Sequence, residues 1–134
     1  MKKNPVVHFE IPFDDEDRAK TFYSAAFGWH ISDWPIEDGS TYTGVMTGEV
    51  GEDGKHTEKA VIGGGMVPRA QLQSPVLMLN TENVDEVTDR AVTLGGEKLS
   101  EHTYVGIGRV VYIKDTEGNV VGLWEENKKV QENA

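Results

Sequence analysis

His8 and Glu10 are the residues of this chain best placed to do chemistry. They stand two apart in the alternating run Val7-His8-Phe9-Glu10-Ile11, and residues two apart on a strand share a face. An imidazole titrates near neutrality, so His8 is a candidate acid or base, with Glu10 as a carboxylate able to tune it. The same pair also fits a plain, satisfied polar contact within a sheet. Other reactive chemistry is harder to build. There is no cysteine, which removes disulfides, thiolate nucleophiles and cysteine-ligated zinc or iron–sulfur centres. The serines at 24, 32, 40, 74 and 100 lack a nucleophile-elbow context, and no His-x-x-x-His or Glu-x-x-His pair occurs. Gly63-Gly64-Gly65 lacks the Lys-Ser/Thr ending and following helix of a phosphate loop. The Asp14-Asp15-Glu16-Asp17 run lacks the alternating oxygen ligands of a calcium loop and reads as helix capping.

The elements that must position these residues follow from periodicity. Residues 6–12 alternate and end at Pro12, which reads as a strand. Asp14 is the expected cap of a helix in which Ala19, Phe22, Tyr23, Ala26 and Phe27 bury one face and Gly28 is the stop. Short strands are expected from Trp29 to Trp34, from Tyr42 to Val50 and from Ala60 to Val67. The glycines of the last suggest a bulge or a close approach to its backbone. Residues 68–75 form the connection. A strand from Pro75 to Asn80 precedes a helix capped by Asn83 with Glu86, lined by Val84, Val87, Ala91 and Leu94 and ended by Gly95-Gly96. A variable segment with His102, Tyr104, Gly106 and Gly108 follows, then strands over 109–114 and 120–125 joined by the turn Asp115–Asn119. Tyr42 and Tyr112 lie on strands whose facing the sequence leaves open, and the tail from Asn127 is expected to fray.

Size and charge narrow the class. The 134 residues suit one domain. The net charge of −10 repels phosphate backbones and anionic lipid, so neither nucleic acid nor a membrane is an expected partner. No apolar run approaches the length of a membrane span, and no apolar stretch follows Lys2-Lys3, so the chain reads as soluble and cytoplasmic.

The pattern also occurs twice. Shifted by 68 residues, Val76-Leu77-Met78-Leu79-Asn80 repeats the first strand, with Asp17 on Asp85 and Gly28 on Gly96. Three pieces in this order carry a family resemblance: His8 followed by Phe22-Tyr23-Ser24-Ala25-Ala26-Phe27-Gly28-Trp29, then Asp85 to Gly96, then Asp115-Thr116-Glu117-Gly118-Asn119. Over residues 6–126 the chain resembles the vicinal oxygen chelate superfamily of glyoxalase I, bleomycin-resistance proteins and extradiol dioxygenases, and within it the small bacterial glyoxalase-related proteins.

That resemblance implies an α+β fold of paired βαβββ modules, one over about 6–67 and the other over about 75–126, whose sheets curve into an incomplete barrel around a cavity. It implies a homodimer. In metal-dependent members one ligand comes from each of four strands, and the positions fall on His8, on the Gly63-Gly64 region, on Val76 and on Gly122. Only His8 keeps a metal-binding side chain, too little for a divalent ion, so no metal cofactor is expected. The implied cavity is lined by His8, Glu10, Val76, Met78, Gly122 and Trp124, with the glycines widening its floor, and Arg109 is the basic group nearest for an anionic ligand. Trp124 and Met78 serve equally as core filling. The leading expectation is metal-independent binding of a small, partly apolar or aromatic molecule. A lyase or isomerase using His8 with a non-standard metal site, and a structural or regulatory protein with a filled cavity, are the alternatives.

Overall fold

A computed structural model describes residues 1–70 and 72–128 of the protein. The expected fraying tail from residue 129 onward lies outside the described residues. The elements run β1 (Val6–Phe13), α1 (Glu16–Phe27), β2 (His30–Pro35), β3 (Thr41–Met46), β4 (Gly64–Pro68), β5 (Val76–Thr81), α2 (Val84–Thr93), β6 (Glu97–Tyr104), β7 (Gly108–Lys114) and β8 (Val120–Glu126). In the first module the strands lie in the order β2-β3-β4-β1, with β1 parallel to β4 and the other neighbours antiparallel. The second module repeats this as β6-β7-β8-β5, with β5 parallel to β8. Each is a βαβββ module, so the α+β class and the duplication read from the sequence are both present.

The compact units do not coincide with the echoing halves. One comprises His8–Pro35 and Thr41–Pro75; the other comprises Met1–Val7, Ile36–Ser40 and the chain from Val76 onward. The turn between β2 and β3 therefore belongs with the second module, where the Glu37 carboxylate lies against Gly106. A side chain at residue 106 would meet that carboxylate, and its φ of 81° already favours glycine.

Local chemistry sets the helix ends. Asn83 caps α2 by accepting the Glu86 N–H at 3.1 Å, and Gly28 ends α1 in the left-handed conformation, donating to the Ser24 carbonyl. The α1 cap is Asp15, which accepts the Arg18 N–H at 3.0 Å, and not the expected Asp14, whose carboxylate pairs instead with Arg69. Nor does Pro12 end β1, which continues to Phe13 with Pro12 beside Val67 of β4. A strand tolerates proline where that N–H is not needed by the ladder. The segment from His102 to Tyr104, read as variable, is the end of β6 paired with β7.

The helices cover one face of each sheet to different degrees. Val84 of α2 packs with Val111, Ile113 and Leu123. In the other unit Ile11, Val45 and Met66 form the core, edged by Phe9, Phe13, Ala19, Tyr23, Trp29 and Ile31. No residue of α1 is fully buried. Its expected apolar face narrows to Ala19 and Tyr23, the latter stacked on Trp29 at 5.1 Å, while Phe22 and Phe27 stay more than half exposed. Among the described residues no helix is long and apolar enough to cross a membrane.

Candidate functional site

Strand alternation gives each sheet a helix-covered face and an opposite face. On the opposite face of the first module stand His8 and Glu10 of β1, Tyr42 and Gly44 of β3, Gly65 of β4 and Trp34 of β2. The ladder sets Glu10 beside Gly65, Gly65 beside Gly44 and Tyr42 beside Trp34. Two glycines thus form a floor on which two aromatic rings lie. A Cβ at residue 65 would fall on the Tyr42 hydroxyl, and one at residue 44 on the Trp34 indole. The rings meet edge to face, centroids 5.9 Å apart.

Tyr42 reaches across this floor to β1. Its hydroxyl donates to Glu10 Oε2 at 2.7 Å and stands 3.0 Å from His8 Nε2. Glu10 is only 1% exposed, and a carboxylate taken so far from water needs such a donor. Since the phenol proton is given to Glu10, its oxygen is left to accept, which assigns the proton of a neutral His8 to Nε2 and a lone pair to Nδ1. Burial lowers the His8 pKa to about 4, because desolvation disfavours the imidazolium. The sequence paired His8 directly with Glu10; the structure inserts Tyr42 between them.

The opposite face of the second module carries Val76 and Met78 of β5, Gly122 and Trp124 of β8, and Val110 of β7. Val76 and Met78 are buried and Met78 lies beside Gly122. The Met78 sulfur occupies the place a Cβ at 122 would take, and the Trp124 ring lies over Gly108, whose Cβ would come within 2.5 Å of it. Trp124 is half-buried and faces Tyr104 at 6.1 Å, which meets His102 edge to face at 4.5 Å. The structure brings Val76, Met78, Gly122 and Trp124 together as expected. It sets Arg109 apart. That residue pairs with Glu125 in the ladder, so it has the opposite parity to Trp124, and its guanidinium binds Asp85 at 2.6 Å and Glu101 at 3.0 Å. Those pairs raise its pKa further and leave it a tie between β7 and the start of α2, not a group on the face of Met78 and Trp124.

The implied metal ligand positions fall among these side chains. Met78 faces Gly122 as Glu10, its counterpart in the echo, faces Gly65. The second position is therefore Gly65, one residue beyond the Gly63-Gly64 expected. Across the four positions the chain offers one imidazole, two glycines and a valine. The glycines do not widen the floor either, because Tyr42 and Met78 fill the space above them. Among the described residues no group of three or more histidine, aspartate or glutamate side chains could hold a metal ion. The residues present do not fit the chelate.

Tyr42 and Trp34 are the members of this face that sequence reasoning missed. A signal was present: Tyr42-Thr43-Gly44 sets an aromatic residue two positions from a glycine, as Gly122-Leu123-Trp124 does in reverse.

Known proteins align with this geometry. The family described as bleomycin resistance protein-like N-terminal matches residues 6–48. Two curated relatives, from Mycobacterium bovis and Mycobacterium tuberculosis, both named "Putative glyoxylase CFP32", are 29% identical over 120 residues, or 87% of this chain. The chain spans 43% of the length of those relatives. Among solved structures, a Streptomyces coelicolor methylmalonyl-CoA epimerase in complex with 2-nitronate-propionyl-CoA superposes with a TM-score of 0.61 at 16% identity, covering 92% of this chain and 98% of its own. The methylmalonyl-CoA epimerase of M. tuberculosis gives 0.59 at 16% identity, covering 98% and 97%. A hypothetical protein of Bacillus halodurans C-125 gives 0.61 at 10% identity, covering 94% and 96%.

Proposed function

We propose that this chain belongs to the vicinal oxygen chelate superfamily, as its matches to a bleomycin resistance protein-like family model and to two curated relatives support, and that it binds a small, partly apolar or aromatic molecule without a metal, as a cytoplasmic homodimer. The observation that carries the metal-free reading is the filling of two ligand positions: the Tyr42 hydroxyl lies over Gly65 and the Met78 thioether over Gly122. A carboxylate at either residue would overlap a side chain already in place. What remains is an apolar and aromatic surface with a few fixed polar atoms, the usual makeup of a small-molecule site. The homodimer rests on the family resemblance.

A second reading is a glyoxalase- or dioxygenase-like lyase or isomerase that uses His8 with a non-standard metal site, and the glyoxylase name of the curated relatives supports its glyoxalase form. Its weakness is the state of that imidazole. A group whose conjugate acid has a pKa near 4 is neutral at pH 7 but a poor base there, since general bases work best with a pKa near the working pH. Binding asks less of it than proton abstraction.

The two readings part on metal content. Protein purified without chelator should carry far less than one equivalent of zinc, manganese, iron, cobalt or nickel by elemental analysis, and chelator treatment should leave its melting temperature unchanged. Near-stoichiometric metal, with ligand-field or X-ray absorption spectra showing histidine and oxygen donors, would overturn the proposal in favour of the enzyme.

A further inference from the structure

Helix α1 turns an apolar face outward. From Thr21 to Gly28 the chain runs eight residues without a charge, in a protein where 27% of residues are charged, and all but Tyr23 are exposed. Phe22 and Phe27 are 56% and 58% exposed and meet edge to face, centroids 5.8 Å apart. With Tyr23 and Trp29 they form one continuous cluster of rings. The internal echo supplies a control. Shifted by 68 residues, Thr21 falls on Asp89, Phe22 on Arg90 and Phe27 on Gly95. At these places α2 carries charges and a glycine, as a helix facing water does, and it buries Val84 and Thr88 on its other side. Helix α1 has no fully buried residue and keeps its largest apolar side chains outside. A cluster of exposed apolar residues of this kind marks an association surface.

We infer that this face of α1 is where a second copy of the chain docks, the two helices lying antiparallel across a twofold axis near Thr21 and Phe22. Arg18, Phe22, Ala25 and Ala26 are all exposed and stand at i, i+4, i+7 and i+8, the spacing of a stripe by which helices pack. The two alanines let the backbones approach. Charge sets the direction. Arg18 makes no ion pair among the described residues, Asp14 being taken by Arg69, and the last turn of α1 has no basic residue at the negative end of its dipole. An antiparallel pair sets each Arg18 beside Ala25 in the last turn of the other helix, where a cation is favourable. A parallel pair would instead bring together two acidic first turns, each with Glu16 and Asp17. For chains of net charge −10 the uncharged stretch is also where two copies repel least. The inference rests on the homodimer reading above and gives that dimer its surface.

Sedimentation of the full chain over a range of concentrations tests it. The parent should run at twice the mass of one chain when concentrated and dissociate on dilution, because one helix face per partner makes a small interface of the weak class. Ala25→Arg sets like charges against Arg18 and should weaken association by roughly tenfold or more. Adding Arg18→Glu to it should restore the dimer. Phe22→Ser should weaken association to a similar degree, while Leu94→Ser, at the exposed end of α2, should leave it unchanged. On the unaltered chain the NMR signals of Phe22 and Ala25 should move between dilute and concentrated samples. A dimer that survives Ala25→Arg and Phe22→Ser, or concentration-dependent shifts that leave α1 out, would overturn the inference and leave the homodimer reading standing. A double variant that stays monomeric would overturn the antiparallel pairing. A parent that is monomeric at every concentration would overturn both readings, and α1 signals that then move only on adding phosphatidylcholine vesicles would give the face to lipid.

Discussion

Adding one methyl group at residue 65 should cost more than removing most surface side chains. In Gly65→Ala the new Cβ falls on the Tyr42 hydroxyl and comes within 2.7 Å of its Cε1. Tyr42 has little freedom to yield, because its hydroxyl is bound to Glu10 and His8 and its ring lies against Trp34. Overpacking of this kind costs about 1–3 kcal/mol, and giving up the hydrogen bond to the buried Glu10 carboxylate costs roughly 1.5–3 kcal/mol. Restricting the unfolded chain returns about 0.4–1 kcal/mol, and residue 65 has no positive φ to add strain. The net expectation is about 3 kcal/mol, or a fall of roughly 10 °C in Tm for a chain of this size. Urea unfolding monitored by tryptophan fluorescence would measure it as a lower midpoint at constant slope. The decisive arm is Gly65→Ala in a Tyr42→Ala background, where the overlap is gone and the added cost should fall to about 0.5 kcal/mol or less. A Gly65→Ala variant as stable as the parent, or one equally damaged with Tyr42 trimmed, would refute the account of a filled ligand position.

The buried His8 imidazole and the Arg109 ion pairs each set a measurable outcome. The His8 pKa is near 4 in the folded chain against an ordinary 6.5, so between those values the unfolded chain binds more protons. Stability should fall as pH drops from about 6.5 to about 4, by about 3 kcal/mol in all. The urea midpoint should track this in the parent and less steeply in His8→Gln; parallel profiles for the two would contradict it. Arg109→Met should lower stability slightly, by a margin that shrinks in high salt because its partners are exposed.

What the sequence made legible was whatever is decided locally. Asn83 with Glu86, Gly28 after its apolar helix and the Asp115–Asn119 turn each hold their structure with neighbours a few residues away, and each lies where the pattern puts it. Facing and register are decided by neighbouring strands, and there the reading ran short. Three glycines in a row have no side chains to alternate, so only the pairing of Glu10 with Gly65 and of Met78 with Gly122 located the second ligand position. Tyr42 sits on a strand whose two faces look alike until β1 and β4 are set beside it. Arg109 has a parity that depends on the β7–β8 register across the turn. The apolar residues of α1 fit a helical stripe, but periodicity does not say how wide a stripe one sheet will cover.

The turn Ile36–Ser40 bears on how such a chain can be recombined. Its residues are encoded in the first half, yet they belong to the compact unit of the second, with Glu37 seated against Gly106. A crossover in the connection at residues 69–75 would look like a clean exchange of one ancestral copy for another. It would in fact separate Glu37 from the glycine fitted to it, and a graft with a larger residue at 106 would have to displace the turn. The two copies remain recognisable as repeats while having ceased to be interchangeable parts.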